Sequence, residues 1–241
     1  MEFGTPVFWI AVLQIIIIDI LLGGDNAVVI ALACRSLPEE QRKKGIIWGV
    51  AGAVILRTIL TIFAVTLLAI PYLKIIGGLL LFWIGIKLIL PQDEGGHEVD
   101  ASTTLRGAIK TIIVADFVMS LDNVIAVAAA AKDSWLLIIF GLIVSIPIIV
   151  YCSQLVLKLM GRFPVIITLG GALLGYIAGD MMVRDLLIVD WVKATAGWVI
   201  QYHVAGFIGA LIVFAAGKAI ANYAAGRKLV DLAANNDQTK S

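Results

Sequence analysis

The sequence predicts an all-α polytopic membrane protein with seven transmembrane helices, arranged as two inverted three-helix repeats plus one extra helix. Three observations carry this prediction. The chain of 241 residues is 61% hydrophobic and only 15% charged, with a mean hydropathy of +1.03, outside the range of soluble domains. Its apolar residues collect into seven runs close to the roughly 20 residues that a helix needs to cross hydrocarbon about 30 Å thick. Two segments of the first half also return in the second half.

The spans run 7–33, 46–70, 72–90, 107–131, 135–158, 165–181 and 196–218, each bounded by charged or Pro/Gly-bearing connections. The first follows MEFGTPVFW, which has an acidic residue and no basic region, so it is expected to stay in the mature chain rather than be removed as a signal peptide. Cys34 at its end and Cys152 in the fifth span read as small packing residues. The third and sixth spans are short. Residues 91–106 (PQDEGGHEVDASTTLR) divide the halves as a flexible cytoplasmic linker. His97 lies there with Asp93, Glu94, Glu98 and Asp100, a solvated acidic loop before it is a weak metal sensor. The expected organisation is a first repeat over 1–90, the linker, a second repeat over 107–182, a connection and seventh helix over 183–221, and a tail over 222–241 that begins as an amphipathic helix end and fades into disorder.

Loop basicity sets the orientation. With the N-terminus outside, thirteen Lys and Arg residues fall on inner loops and the tail and four on outer loops, leaving Arg57 inside a helix. The expectation is a multi-pass protein of the cell inner (plasma) membrane with its C-terminus in the cytoplasm. A net charge of +1 and no basic face give no reason to expect nucleic acid as a partner.

The repeats are specific in detail. DILLGGDNAVVIA at 19–31 returns as DFVMSLDNVIAVA at 116–128, and PYLKIIGGLLLFWIGIK at 71–87 returns as PVIITLGGALLGYIAGD at 164–180. Three crossings per unit turn the second unit over in the membrane, which predicts a pseudo-twofold axis in the membrane plane, an architecture typical of secondary transporters.

Each acidic motif places an Asp, then Asp-Asn six residues on, inside a run apolar enough for lipid. Four such carboxylates cost on the order of 10 kcal/mol, at about 2.5 to 3.5 each, unless a partner offsets it. A bound cation is such a partner. Asp19, Asp25, Asn26, Asp116, Asp122 and Asn123 offer hard oxygen donors without His or Cys, which suits Mn2+, Mg2+ or Ca2+ rather than Cu+ or Zn2+. The charge left by four carboxylates around one dication favours proton uptake when the metal leaves, so proton antiport is the expected coupling. The plainer alternative is a polar lock in which Asp and Asn only join helices, but four acids are a costly way to build one.

At about 100° per residue, an unbroken helix sets Asp19 and Asp25 about 120° apart. Gly23 and Gly24 between them predict an unwinding that leaves Asp25 as the N-cap of a second half-helix, with a milder break at Ser120 and Leu121. Arg57, eleven residues into the second span, is about 16 Å from its start, too deep to snorkel. It is expected to pair with one of the aspartates, as a tuning group, a stand-in for the cation or a structural ion pair. Its repeat equivalent is apolar Val150. Asp180 reads as an interfacial residue, with a gate or accessory ligand as the alternative. Gln14, Thr58, Thr61, Ser145, Ser153, Gln154, Gln201 and His203 read as interhelical hydrogen bonders, and Gly171, Gly175 and Gly179 as a close-packing face.

At DILLGGDNAVVIALA and ADFVMSLDNVIAVAAAA and their flanks, the chain resembles the TerC family of integral membrane proteins, close to its YjbE-like branch and within the wider lysine-exporter-like superfamily. The likeness runs from about residue 5 to 220. The resemblance implies a metal site on Asp19, Asp25, Asn26, Asp116, Asp122 and Asn123 and export of a divalent metal, Mn2+ first and Ca2+ as its rival, by a transporter rather than an enzyme. Homo-oligomers fit such a chain. Two other readings compete: a membrane scaffold in metal or tellurite stress, and an intramembrane aspartyl protease, to which LGGD at 22–25 bears a likeness. The protease reading fails on the doubled acids, the missing Pro-Ala-Leu motif and the inverted repeat.

Overall fold

The computed structural model describes residues 6–63, 66–67, 69–90, 104–131 and 135–238. Among these the chain is helical without strands, as α1 (Pro6–Cys34), α2 (Glu39–Ile62), α3 (Leu73–Ile89), α4 (Leu105–Ala131), α5 (Trp135–Arg162), α6 (Val165–Met182), α7 (Val189–Gln201) and α8 (Val204–Gln238). Helix is what long runs of Leu, Ile and Ala form where no water is present to satisfy the backbone. Four stretches among the described residues are long and apolar enough to cross a membrane: Glu39–Ile62, Leu137–Arg162, Val165–Met182 and Val204–Ala221. The other expected spans are α1, whose apolar stretches Phe8–Ile17 and Gly24–Cys34 flank the acidic motif, α3 with 17 residues, and α4, which carries Arg106, Lys110, Asp116 and Asp122. In α1 and α4, charged residues interrupt the apolar run.

Large apolar side chains face outward around the molecule, among them Trp48, Ile55, Trp83, Tyr151 and Leu211, a surface that suits lipid and that a soluble chain would have to cover. Inside, α2 lies against α4 as α1 lies against α5, and α3 touches α4 as α6 touches α1. Helices α1 and α4, α2 and α5, and α3 and α6 also meet pairwise. Two buried clusters result. One joins Phe8, Ile15, Ile30, Val50, Ile112 and Leu142; the other joins Val29, Leu81, Ala115, Met119 and Leu174. Neighbouring residues of α1 and α4 belong to different clusters, so the Asp-bearing segments run along the boundary between the two.

The glycine seam behaves as the spacing predicts. A Cβ on Gly175 would lie 2.4 Å from the Gly209 carbonyl oxygen of α8, and one on Gly171 would lie 3.0 Å from the Gly85 carbonyl oxygen of α3. Only residues without side chains let three backbones approach this closely.

Four details depart from the sequence expectations. Helix α1 passes unbroken through Gly23 and Gly24, because in an apolar surround each residue that unwinds forfeits a backbone hydrogen bond; the expected N-cap at Asp25 does not arise. The seventh span does not begin at 196. Helix α7 is separate, bent at Ala196 (φ −148°, ψ 50°), and α8 starts after His203 in the left-handed region at φ 52°. Trp191, Trp198 and Tyr202 are exposed on this short segment, the aromatic pattern of a membrane–water interface. The tail continues as helix to Gln238, since nothing in its sequence stops a helix there. Lastly, the hydroxyls of Thr58, Thr61, Ser145 and Ser153 donate to carbonyl oxygens three or four residues back in their own helices, which satisfies them locally rather than between helices. Gln14, Gln154 and Gln201 are exposed. The linker residues 91–103, with His97 and its acidic neighbours, lie outside the described residues.

Both ends of α3 are held by charges matched to its dipole. At the C-terminus, Arg35 Nη2 donates to the Leu90 carbonyl at 2.8 Å. At the N-terminus, the cap residue Tyr72 has φ 66°, a strained region for an aromatic residue, and the capping oxygen comes from elsewhere. Asp185, 1% exposed, accepts the N–H groups of Tyr72 and Lys74 at 3.1 Å, Ile75 at 3.4 Å and Leu187 at 3.0 Å. Burial pushes this carboxyl up, but the four N–H groups of Leu187, Tyr72, Ile75 and Lys74 together bring it below the usual carboxylate range. Its contribution is therefore present above the unfolded pKa of about 3.9 and is lost as pH falls through the lower folded value. Asp185→Asn should lower the thermal midpoint in detergent by the equivalent of about 1 to 3 kcal/mol. The gap to wild type should hold from neutral pH to about 4 and close below it; a gap that widens in acid would refute this account.

Candidate functional site

Asp19 on α1 and Asp116 on α4 are 1% and 4% exposed, and Arg57 on α2, 3% exposed, stands between them. Its Nη1 donates to Asp19 Oδ1 and its Nη2 to Asp116 Oδ1. One guanidinium thus joins carboxylates from the two repeated motifs, where the sequence predicted a pair with one of them. Arg57 Nε donates to Ser120 Oγ at 3.1 Å, and the Ser120 hydroxyl donates to Asp116 Oδ2 at 3.2 Å. Asn26 Nδ2 donates to Asp116 Oδ1 at 2.8 Å. Asp116 is the hub, with Arg57, Asn26 and Ser120 all directed at it.

Helical spacing explains the membership. Asn26 is seven residues from Asp19, about 20° round the helix, and Ser120 is four from Asp116, about 40° round. Both therefore share the face of their carboxylate. Asp25 lies about 120° away from Asp19, is only partly buried, and has its Oδ1 accepting the N–H of Asn26 at 2.9 Å. Asn123, the repeat counterpart of Asn26, is partly buried; the side chain of Asp122 lies outside the described residues. Gly24 is exposed, with open space where a Cβ would sit, so it serves no close approach. Among the described residues no group of three or more His, Cys, Asp or Glu is gathered closely enough to hold a metal. Two carboxylates, one amide and one hydroxyl meet here, around an internal cation.

Two buried acceptors in this cluster have no donor, Asp19 Oδ2 and Asn26 Oδ1. Beside Asn26 and Asp116 is a cavity of about 10 Å³, lined also by Val29, Ile30 and Ile112, room for roughly one water-sized body. Unpartnered oxygen in an apolar interior is costly, and against one guanidinium the two carboxylates carry surplus negative charge. Arg57 thus leaves part of the charge and two of the oxygens of this cluster without a partner.

Asp180 belongs to a different corner. It accepts from Arg184 Nε at 2.8 Å, and its Oδ1 lies 2.9 Å from His203 Nδ1, with His203 stacked on Tyr176. This part-exposed group joins α6 to the start of α8, as an interfacial residue would, and is not part of the Asp19–Asp116 cluster. Sequence reasoning missed Ser120 and Asp185 as working residues. The first had a signal, an i, i+4 relation to Asp116; the second had none, because three of its four partners lie more than a hundred positions away.

The chain matches the family described as integral membrane protein TerC family over residues 4–224. It is 46% identical over 178 residues to the uncharacterized membrane protein YjbE of Bacillus subtilis (strain 168), covering 74% of this chain and 81% of that protein. It is 28% identical to the uncharacterized membrane protein YceF of the same organism, over 73% of this chain and 72% of that protein. To the UPF0053 inner membrane protein YgdQ of Escherichia coli (strain K12) it is 27% identical, over 66% of this chain and 74% of that protein. No solved structure gives a significant match. With both Asp-Asn motifs inside the matched region, the chain belongs to the TerC family of multi-pass integral membrane proteins.

Proposed function

We propose that this protein is a secondary transporter that exports a divalent metal cation, Mn2+ first and Ca2+ as its rival, through an oxygen site at the crossing of α1 and α4. The observation that carries the reading is the pair of buried carboxylates, Asp19 and Asp116, with two donorless oxygens on Asp19 and Asn26 and a small cavity lined by Asn26 and Asp116. Asp25, Asp122 and Asn123 complete the ligand set when the two motifs close on the ion, and protons neutralise the carboxylates that metal release leaves bare. The packing supports two inverted three-helix repeats, with one extra helix outside them: exchanging α1, α2 and α3 with α4, α5 and α6 maps α2–α4 onto α1–α5 and α3–α4 onto α1–α6. Orientation follows the basic loops, N-terminus out, in the inner membrane that the name of YgdQ gives for that relative.

The Arg57 bridge favours one other reading, a polar lock in a membrane scaffold, because a saturated ion-pair network also joins helices. It disfavours an aspartyl protease, whose two acids must share a proton and activate water in the place the guanidinium takes. The discriminating experiment is manganese uptake into inverted vesicles, with Ca2+, Mg2+ and Zn2+ as competitors. Wild type should accumulate Mn2+, Ca2+ should compete better than Zn2+, and Asp25→Asn should insert normally yet move no manganese. Wild-type flux in Asp25→Asn would remove that residue from the site; the absence of any wild-type flux would favour the lock.

A further inference from the structure

We propose that Arg57 is a tethered competitor of the transported ion: guanidinium and dication take the same place between Asp19 and Asp116, and each enters only as the other withdraws. This deepens the transport reading and rests on it.

The acceptor count leads to it. Of the four carboxylate oxygens of Asp19 and Asp116, three already accept hydrogen bonds, and Arg57 holds one on each residue. What remains is Asp19 Oδ2 with Asn26 Oδ1, too few protein oxygens for an ion that takes six or more ligands. Freeing Asp19 Oδ1 and Asp116 Oδ1 requires the guanidinium to leave. Charge gives the same answer, since a dication and a guanidinium at ion-pair separation in a low-dielectric interior repel strongly. The docked position of Arg57 is also defined by more than charge, through the Nε bond to Ser120.

Two consequences follow for the transport cycle. A monovalent ion that displaced Arg57 would supply no more charge than the guanidinium and fewer directed bonds, so the competitor favours dications. With the repeat partner of Arg57 being apolar Val150, a single arm on α2 reports occupancy. Its withdrawal ties metal binding to movement of α2 against the α1–α4 pair, and its return offsets one of the charges of the emptied site, leaving the rest to protons.

The test is MnCl2 binding to the purified full-length protein in detergent, alongside transport in vesicles. If Arg57 is docked in most empty molecules, its removal raises the competent fraction, so Arg57→Met should bind Mn2+ about tenfold or more tightly than wild type. Net uptake should fall, while exchange of bound for free manganese persists. Arg57→Lys keeps the charge without the bridging fork and should bind with intermediate strength; it is read in the same way if Arg57→Met folds poorly. Recovery of folded Arg57→Met only with MnCl2 present counts for the inference. Binding no tighter than wild type in both variants, while Asp116→Asn abolishes binding, overturns it and leaves the site standing. Wild-type binding in Asp116→Asn overturns the site itself.

Discussion

Asp116→Ala should both loosen the protein and stop manganese movement, because Asp116 is the carboxylate on which three side chains of the cluster converge. It takes away the acceptor of Arg57 Nη2, of the Asn26 amide and of the Ser120 hydroxyl in one step. Arg57 is then left buried with Asp19 alone, and removing one partner of a buried ion pair costs about 3 to 5 kcal/mol. The loss exceeds that of any surface ion pair in the chain, since solvent cannot replace the carboxylate. Transport should suffer more still. Loss of a supporting residue around a metal typically costs 10- to 100-fold, so loss of a ligand should reduce manganese flux by about 100-fold or more. Asp116→Asn separates the two effects, because it preserves volume and an acceptor oxygen while removing charge. It should recover part of the thermal midpoint and none of the flux. The measurements are thermal unfolding in detergent and vesicle uptake normalised to inserted protein. Normal flux in Asp116→Ala would mean that the cluster only fastens helices.

The sequence showed the fold more clearly than the wiring. The all-helical, membrane-spanning character was readable because hydrocarbon demands about 20 apolar residues per crossing, and that demand leaves little freedom. Charged residues were readable as anomalies for the same reason, so Asp19, Asp116 and the deep Arg57 were all singled out, and the structure brings those three together. What composition could not give was the angular bookkeeping. The Asp-Asn dipeptide drew attention to Asp25, yet the seven-residue spacing puts Asn26 on the face of Asp19, and in an unbroken α1 it is Asn26 that reaches Asp116. The unwinding at Gly23 and Gly24 was inferred from residue type, but glycine permits a break without requiring one. Asp185 stayed hidden because its partners at Tyr72, Lys74 and Ile75 are distant in sequence. A carboxylate near a helix end looks like any other interfacial acid until the fold brings another helix N-terminus to it. The start of α8 was misplaced for a related reason: a hydropathy window averages through the turn at Tyr202 and His203, where backbone dihedrals rather than composition end one helix and begin the next.

Gly179→Leu should prevent normal docking of α6 on α8. A Cβ at this position would stand 2.1 Å from the Ala205 carbonyl oxygen and 2.8 Å from its carbonyl carbon. Both are backbone atoms, so no rotamer change on the neighbour can relieve the overlap. Helix α8 must move away, and the contacts along Gly175–Gly209 and Gly206–Tyr176 loosen with it. In lipid, where apolar surface gains nothing by leaving the bilayer, this close packing is the main attraction between the helices, and overpacking of 1 to 3 kcal/mol is about the least to expect. Gly179→Ala should show the same effect in smaller degree. The control is Gly161→Ala near the end of α5, where a Cβ meets nothing within 4 Å. There the better helix former should be neutral or stabilising by up to about 1 kcal/mol. The readout is the fraction of protein that stays monodisperse after heating in detergent, compared across the three variants. If Gly161→Ala and Gly179→Ala behave alike, helix propensity rather than backbone contact governs both positions, and α6 and α8 are not held as closely as the structure places them.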